Sequence, residues 1–266
     1  VTTHPSSVHP GQAALVRELA KGGLLSAEWR EIWEQTPRHR FIPNPAWRQL
    51  RRSCELVTGP ERMDLIYSDE PVVTQLDNGD NGDNGEGGGP GIATSSNSMP
   101  SMVARQLRAL DVRPGHRVLE IGTATGYVSA LLCRRVGEEN VFSVEIDGVL
   151  AAQARANLAA EGLHPTTAVA DGELGLPAHA PYDRILSTCA LRRVPPSLAG
   201  QLAPGGRAGH PDDRCLLRGR HSPPGPPGER RSGGPVLPRR LVHAHALPPA
   251  GDAGPAGHHH GAAPGD

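Results

Sequence analysis

Val118-Leu119-Glu120-Ile121-Gly122-Thr123-Ala124-Thr125-Gly126-Tyr127 is the stretch that decides how this chain folds. An apolar run ends in an acid, a turn of small residues follows, and a helical pattern of apolar positions runs from Val128 to Val136. The stretch therefore reads as a buried strand, a tight loop and the opening of a helix. Such a loop can bring backbone N–H groups and a helix N-terminus close to a ligand. A second strand pattern, Val141-Phe142-Ser143-Val144-Glu145, also ends in an acid. A carboxylate at that place can take the two hydroxyls of a ribose. Loop and acid together imply a nucleoside-cofactor site.

The spacing narrows the cofactor. A nicotinamide dinucleotide asks for G-x-G-x-x-G, with glycines placed for a pyrophosphate. This chain has Gly122-x-x-x-Gly126, with Ala124 between them and Glu120 just before. A pyrophosphate gains nothing from a carboxylate so close, which disfavours a nicotinamide-dependent oxidoreductase. S-adenosyl-L-methionine has no phosphate but carries a positive sulfonium and an α-amino group, and an acid at the loop entrance suits it. Asp171-Gly172 follows a third strand pattern, Thr166 to Ala170. The order Glu120, Gly122 to Gly126, Glu145, Asp171 is that of class I methyltransferases.

Working outward, strand and helix patterns alternate at 117–121, 126–136, 140–145, 148–161 and 166–170, with a further strand at 184–187 and a short helix at 196–202. The fold class expected is α/β, a doubly wound and mostly parallel sheet. A ligand should lie outside the carboxyl ends of its strands. Residues 11–36 carry two helix patterns, the second capped by Ser26 and ended by Pro37. Residues 1–65 are therefore expected as a helical N-terminal extension and 66–206 as the core. Within that core, 77–91 is a low-complexity loop of repeated Asp-Asn-Gly. It lacks the spacing and terminal Glu of a calcium-binding EF-hand loop, so a flexible surface insertion is expected. Ser98 stands where an N-cap belongs, with Pro100 in the first helical turn.

Composition sets outer bounds. A formal net charge of −1 advertises no nucleic-acid footprint. No apolar stretch approaches a membrane span and no signal-peptide pattern opens the chain. The four cysteines have neither metal-ligand nor disulfide spacing. A cytoplasmic location and no metal are expected. From Gly205 to Asp266 there are 13 Gly and 11 Pro in 62 residues and no Phe, Tyr or Trp. A segment of that kind cannot bury enough apolar surface to offset its ordering entropy, so 207–266 is expected as a disordered tail. Its text also resembles GC-rich coding DNA read out of frame. Gly209-His210-Pro211-Asp212-Asp213-Arg214 can be encoded so that a one-base shift reads Val-Thr-Leu-Thr-Thr-Gly, a strand where the fold needs one. A frameshift near Gly206 to Gly209 is the expectation, leaving the sheet short of its last two strands and the chain poorly soluble.

Further motifs give a family resemblance. Pro37-Arg38-His39-Arg40-Phe41-Ile42-Pro43, Tyr67-Ser68-Asp69, Ser98-Met99-Pro100-Ser101-Met102-Val103-Ala104, Ala180-Pro181-Tyr182-Asp183-Arg184-Ile185, Thr188-Cys189-Ala190 and Leu202-Ala203-Pro204-Gly205-Gly206 accompany the Val118–Tyr127 stretch. With them the chain resembles the protein-L-isoaspartate O-methyltransferase family, in its actinobacterial branch with an extended N-terminus. The resemblance implies methylation of an isoaspartyl or aspartyl carboxylate in a protein or peptide, either as repair or as tailoring of a ribosomal peptide. A truncated, non-catalytic remnant is the alternative, and the oligomeric state is open. By resemblance, Ser98 should hydrogen-bond the acceptor carboxylate. Glu120 should meet the amino-acid part of the cofactor, and Gly122, Thr123, Ala124 and Gly126 should form the cradle. Glu145 should hold the ribose, with Asp171 and Gly172 at the adenine edge. Two positions depart from the family pattern: Ser101 replaces a frequent His, and Ala124 replaces the usual middle glycine. Because a carboxylate is already anionic near neutral pH, no general base is needed.

Overall fold

The structure is a computed structural model that describes residues 9–51, 53–79, 91–191, 194–209 and 217–218. Two N-terminal helices, α1 (Pro10–Lys21) and α2 (Ala27–Glu34), stand where the apolar spacing places them. Ser26 caps α2 as expected, accepting the Trp29 N–H. The extension is not wholly helical, however. Strands β1 (Ala46–Gln49) and β2 (Cys54–Val57) form an antiparallel hairpin within it. After α3 (Gly59–Ile66), strands β3 (Val72–Leu76) and β4 (Ala93–Asn97) complete an antiparallel sheet ordered β2-β1-β3-β4.

β4 runs straight through Ser98 into α4 (Pro100–Leu110). The second sheet then unfolds in the expected alternation: β5 (Val118–Ile121), α5 (Tyr127–Val136), β6 (Val141–Glu145), α6 (Gly148–Ala160), β7 (Thr166–Val169), β8 (Tyr182–Ser187), α7 (Pro196–Ala199) and β9 (Leu202–Gly209). Its order is β10-β9-β8-β5-β6-β7, parallel throughout except where β10 (Leu217–Arg218) pairs antiparallel with β9. All four residues of β5 and all five of β6 are buried. This is why the central strands read as unbroken runs and not as an alternation.

The sheet continues past the boundary at 206. Arg207, Ala208 and Gly209 lie opposite Arg184, Ile185 and Leu186 of β8, and Ala208 is buried. The pairing with β8 overrides the weak local signal of a Gly-rich segment. The rest of the tail, and the centre of the 77–91 loop, lie outside the described residues. The root of that loop is closed by a reciprocal pair: the Asp77 N–H donates to Ile92 O at 2.8 Å, and Asp77 Oδ1 accepts the Ile92 N–H at 2.8 Å.

One core cluster joins the N-terminal region to the second sheet. Trp33 and Phe41 meet the Tyr127 ring edge-on, at centroid distances of 6.1 and 5.5 Å. Leu15, Leu65, Leu107 and Leu131 belong to the same cluster. Tyr127 is the first residue of α5, so the N-terminal aromatics pack against the helix that the small-residue loop opens. The opposite sheet face carries Leu119, Ile121, Phe142 and Ile185 with Leu198 of α7.

Candidate active site

The loop after β5 takes left-handed backbone at three positions: Gly122 (φ 95°), Ala124 (φ 47°) and Gly126 (φ 85°). Glycine is required at the first and last for space as well as for φ. A Cβ on Gly122 would stand 2.9 Å from Thr188 Oγ1, and one on Gly126 would stand 3.1 Å from Leu158 Cγ. Ala124 holds a conformation that costs an L-residue about 1 kcal/mol. Thr188 secures the loop entrance by donating its hydroxyl to Gly122 O at 2.7 Å. Three of the loop's five N–H groups turn inward and are taken up by the protein. Gly122 N–H donates to Val144 O, Ala124 N–H to Glu145 Oε2 and Gly126 N–H to Thr123 O, at 2.8, 2.9 and 2.8 Å. Much of the cradle is thus a shaped wall.

Glu120 is fully buried in the middle of β5. Its Oε2 accepts from Ser129 of α5 and, at 2.8 Å, from Ser143 of β6. Thr123 extends the chain through Ser143, 2.6 Å between hydroxyl oxygens. Oε1 has no partner, although the residue lines the cleft. Burial pushes the carboxyl up to about 7, against the two serine hydrogen bonds that favour the anion, and nearby Glu145 adds to the rise. A buried oxygen without a partner, on a residue that lines a cleft, calls for an explanation, and a ligand's donor is one.

Glu145 also lines the cleft, but most of its carboxylate is engaged by backbone. Oε2 accepts from Ala124, and Oε1 accepts from Ile146 and Asp147, at 2.9, 2.9 and 3.2 Å. A carboxylate has about four acceptor positions, so room remains for one further donor. Asp147 caps α6 through Val149 and Leu150 and accepts from Gln75 at 2.9 Å. Asp171 lies just before a residue of the cleft. Its carboxylate folds onto its own turn, accepting the Glu173 N–H at 2.9 Å, and it does not line the cleft. Gly172 does line it, at a spot where a Cβ would come within 2.4 Å of Ile121 Cγ2.

Ser98 is brought to the same cleft by the other sheet. It is not the N-cap expected. Met99 holds that position without a side-chain bond, and Asp69 caps the helix from outside, accepting the Ser101 N–H at 2.7 Å. The Ser98 hydroxyl is left without a hydrogen bond among the described residues. Its backbone is held by Arg38, which is fully buried. That guanidinium donates to the carbonyls of Ile66 (2.7 Å), Ser68 (3.4 Å), Glu70 (3.0 Å), Asn97 (3.2 Å) and Ser98 (3.0 Å). Burial brings Arg38 down to about 10, still charged near neutrality. Sequence reasoning quoted Arg38 within a motif but gave it no role. The apolar neighbours Phe41 and Ile42 were the available signal that this arginine turns inward. Asn97 and Gln75, both lining the cleft, gave no sequence signal.

The cleft therefore gathers Ser98, Glu120, Gly122, Thr123, Ala124, Glu145 and Gly172 in one place, at the carboxyl ends of β5 and β6. Gly126 supports the wall from behind, against Leu158 and Ala154. Cys189 lies beside the wall, its thiol pushed up by burial. That makes it a packing residue in its resting state. The unpartnered Oε1 of Glu120 fits the α-amino group of S-adenosylmethionine, and a wall that offers few N–H groups fits a nucleoside without phosphates.

Residues 88–213 match the family model for protein-L-isoaspartate(D-aspartate) O-methyltransferase. A protein-L-isoaspartate O-methyltransferase of Anaeromyxobacter dehalogenans is 47% identical over 159 residues, covering 58% of this chain and 74% of the relative. One from Aeropyrum pernix is 35% identical over 225 residues, covering 82% of this chain and 74% of the relative. Among solved structures, a protein-L-isoaspartate O-methyltransferase superposes with a TM-score of 0.58 at 29% identity, covering 74% of this chain and 54% of that one. A Plasmodium falciparum β-aspartate methyltransferase solved with S-adenosyl-L-homocysteine superposes with a TM-score of 0.55 at 16% identity, over 75% of this chain and 83% of its own, a likeness of fold. The chain belongs to the protein-L-isoaspartate O-methyltransferase family, whose members are S-adenosylmethionine-dependent methyltransferases acting on isoaspartyl residues of proteins.

Proposed function

We propose that this cleft binds S-adenosylmethionine with its α-amino group on Glu120 Oε1, its ribose at Glu145 and its adenine beside Gly172, and that Ser98 receives the acceptor carboxylate. The observation that carries the reading is the pairing of two unpartnered groups in one cleft: Oε1 of Glu120 on β5 and Oγ of Ser98 after β4. Their residues come from different sheets and line one cleft, as a donor site and an acceptor site must.

When bound, the sulfonium supplies an electrophilic methyl group and a neutral thioether as leaving group. The acceptor carboxylate is anionic near neutral pH and needs no base. What the chain contributes is placement. The Ser98 hydroxyl can donate to one carboxylate oxygen and leave the other free to attack. Arg38 fixes the Ser98 backbone through its carbonyl, and the packed loop fixes the donor side. Holding two reactants in line supplies much of the barrier reduction available to such a reaction.

The acceptor proposed is an isoaspartyl side chain in a protein or peptide, encountered in the cytoplasm. The thiols of Cys54, Cys133 and Cys189 are free, which supports a reducing compartment. The test is transfer of a labelled methyl group to an isoaspartyl peptide. A base-labile ester is expected, with no transfer to the same peptide carrying asparagine. Folded protein that binds S-adenosylhomocysteine yet esterifies neither isoaspartyl nor aspartyl peptide overturns the acceptor assignment.

A further inference from the structure

Two side-chain hydrogen bonds cross the cleft between the antiparallel sheet and the cofactor-side loops. Asn97, the last residue of β4, donates from Nδ2 to Thr125 Oγ1 at 2.9 Å. Gln75, on β3, donates from Nε2 to Asp147 Oδ2 at 2.9 Å. The first bond is the deeper: Asn97 and Thr125 are both buried, each about 4% exposed. Thr125 is the fourth residue of the Gly122 to Gly126 loop, and Asn97 directly precedes Ser98.

We infer that the Asn97–Thr125 hydrogen bond is a positioning device that fixes the distance between acceptor and methyl donor. This rests on the proposed roles of Ser98 and the loop. β4 and the loop belong to different sheets, and their separation decides how far an acceptor held at Ser98 lies from a methyl group held against the loop. Each end of the bond is anchored independently of the other. Asn97 O accepts from Arg38 at 3.2 Å, and Thr125 O accepts from Asn157 of α6 at 2.9 Å. A bond between two anchored points transmits position, whereas one between mobile points would only follow them. In-line methyl transfer is steep in separation and angle, and a misplacement of roughly 1 Å costs up to about 100-fold in rate. Asn97 and Thr125 are positioning residues on this account, because they act through Ser98 and through the loop.

The test compares Asn97→Ala, Thr125→Val and the double variant with the wild-type chain. Wild-type turnover on isoaspartyl peptide first checks the functional reading by itself. Each single variant should then lower kcat by about tenfold, while KM for both substrates and Kd for S-adenosylhomocysteine stay within about twofold. The double variant should be no slower than the worse single one, since both break the same bond. Thr125→Ser keeps the hydroxyl and should restore kcat. Unchanged kcat in both singles, multiplied losses in the double, or a loss confined to KM overturns the proposal. A second readout needs no turnover. In the unliganded protein, Thr125→Val should speed amide exchange across 93–98, although the substitution lies in the other sheet. Exchange there equal to wild type overturns the proposal even if the chain proves inactive on isoaspartyl peptide.

Discussion

Ser143 donates a 2.8 Å hydrogen bond to Glu120 Oε2, joining the centres of β6 and β5 beneath the cleft. The acid proposed to meet the cofactor is thereby oriented by its own neighbouring strand, and its other oxygen has no partner. This arrangement makes cofactor affinity depend on pH. Glu120 titrates at about 7, and only its anion attracts a cationic amino group. S-adenosylhomocysteine should bind roughly tenfold more tightly at pH 8 than at pH 6, measured by titration calorimetry. Glu120→Gln should bind weakly with no such slope. A wild-type affinity that is flat from pH 6 to 8 would falsify the assignment of Glu120 to the amino group.

The same group has the opposite influence on the unliganded fold. Its folded-state pKa is raised, so the folded protein holds a proton that the unfolded chain has already released above pH 4.5. The stability contributed by Glu120 is complete below 4.5 and is lost as pH rises through about 7. Urea unfolding should show this fall in the wild-type chain and a smaller one in Glu120→Gln.

Ser98→Ala should reduce kcat by about 10- to 100-fold, the worth of one hydrogen bond to a charged group. Affinity for S-adenosylhomocysteine should stay as it was, because Ser98 serves the acceptor. Steady-state kinetics with calorimetry separates the two. Equal weakening of cofactor binding would move Ser98 to the donor side of the cleft.

Ala124 holds φ at 47°, and glycine takes that conformation without steric cost. Ala124→Gly is expected to stabilise the fold by about 0.5–1 kcal/mol after allowance for the extra freedom it gives the unfolded chain. The midpoint of urea unfolding measures it, and a lower midpoint would show that the methyl packs favourably.

Arg38→Met should destabilise the protein by about 3 kcal/mol or more, since five carbonyls lose a buried charged donor together. Arg38→Lys should recover only part of this, because an ammonium cannot spread donors as a planar fork does. Unfolding by urea gives the ranking.

The parallel sheet was legible because burial on both faces leaves a mark that needs no partner to read. Val118 to Ile121 and Val141 to Val144 are apolar apart from Glu120 and Ser143, and those two exceptions hydrogen-bond to each other. The β1–β2 hairpin left no such mark. Only Ala46 and Val57 of it are buried, and Trp47, Arg48 and Gln49 give no clean alternation. The Ser98 cap was misjudged because the true acceptor, Asp69, lies 32 residues away. Asp171 holds its own turn through Oδ1, and its neighbour Gly172 meets the cleft. Asn97 and Gln75 were silent for the same reason as Asp69: each acts on a partner far away in the chain, a relation that no local pattern encodes. The frame of the coding DNA across codons 200–215 remains a separate proposal, and sequencing it settles whether the text beyond the strand ending at Gly209 is the inherited one.

The inward-turned N–H groups of the loop carry one more implication. Since Gly122, Ala124 and Gly126 already bond to Val144, Glu145 and Thr123, the pocket wall keeps its shape while empty. Little ordering entropy is then charged to each cofactor that enters. Spent and fresh cofactor differ by one methyl group and the positive charge of the sulfonium but share the amino group, ribose and adenine, so the product should compete with the substrate for the cleft. The throughput of such an enzyme is set by how quickly its surroundings clear S-adenosylhomocysteine.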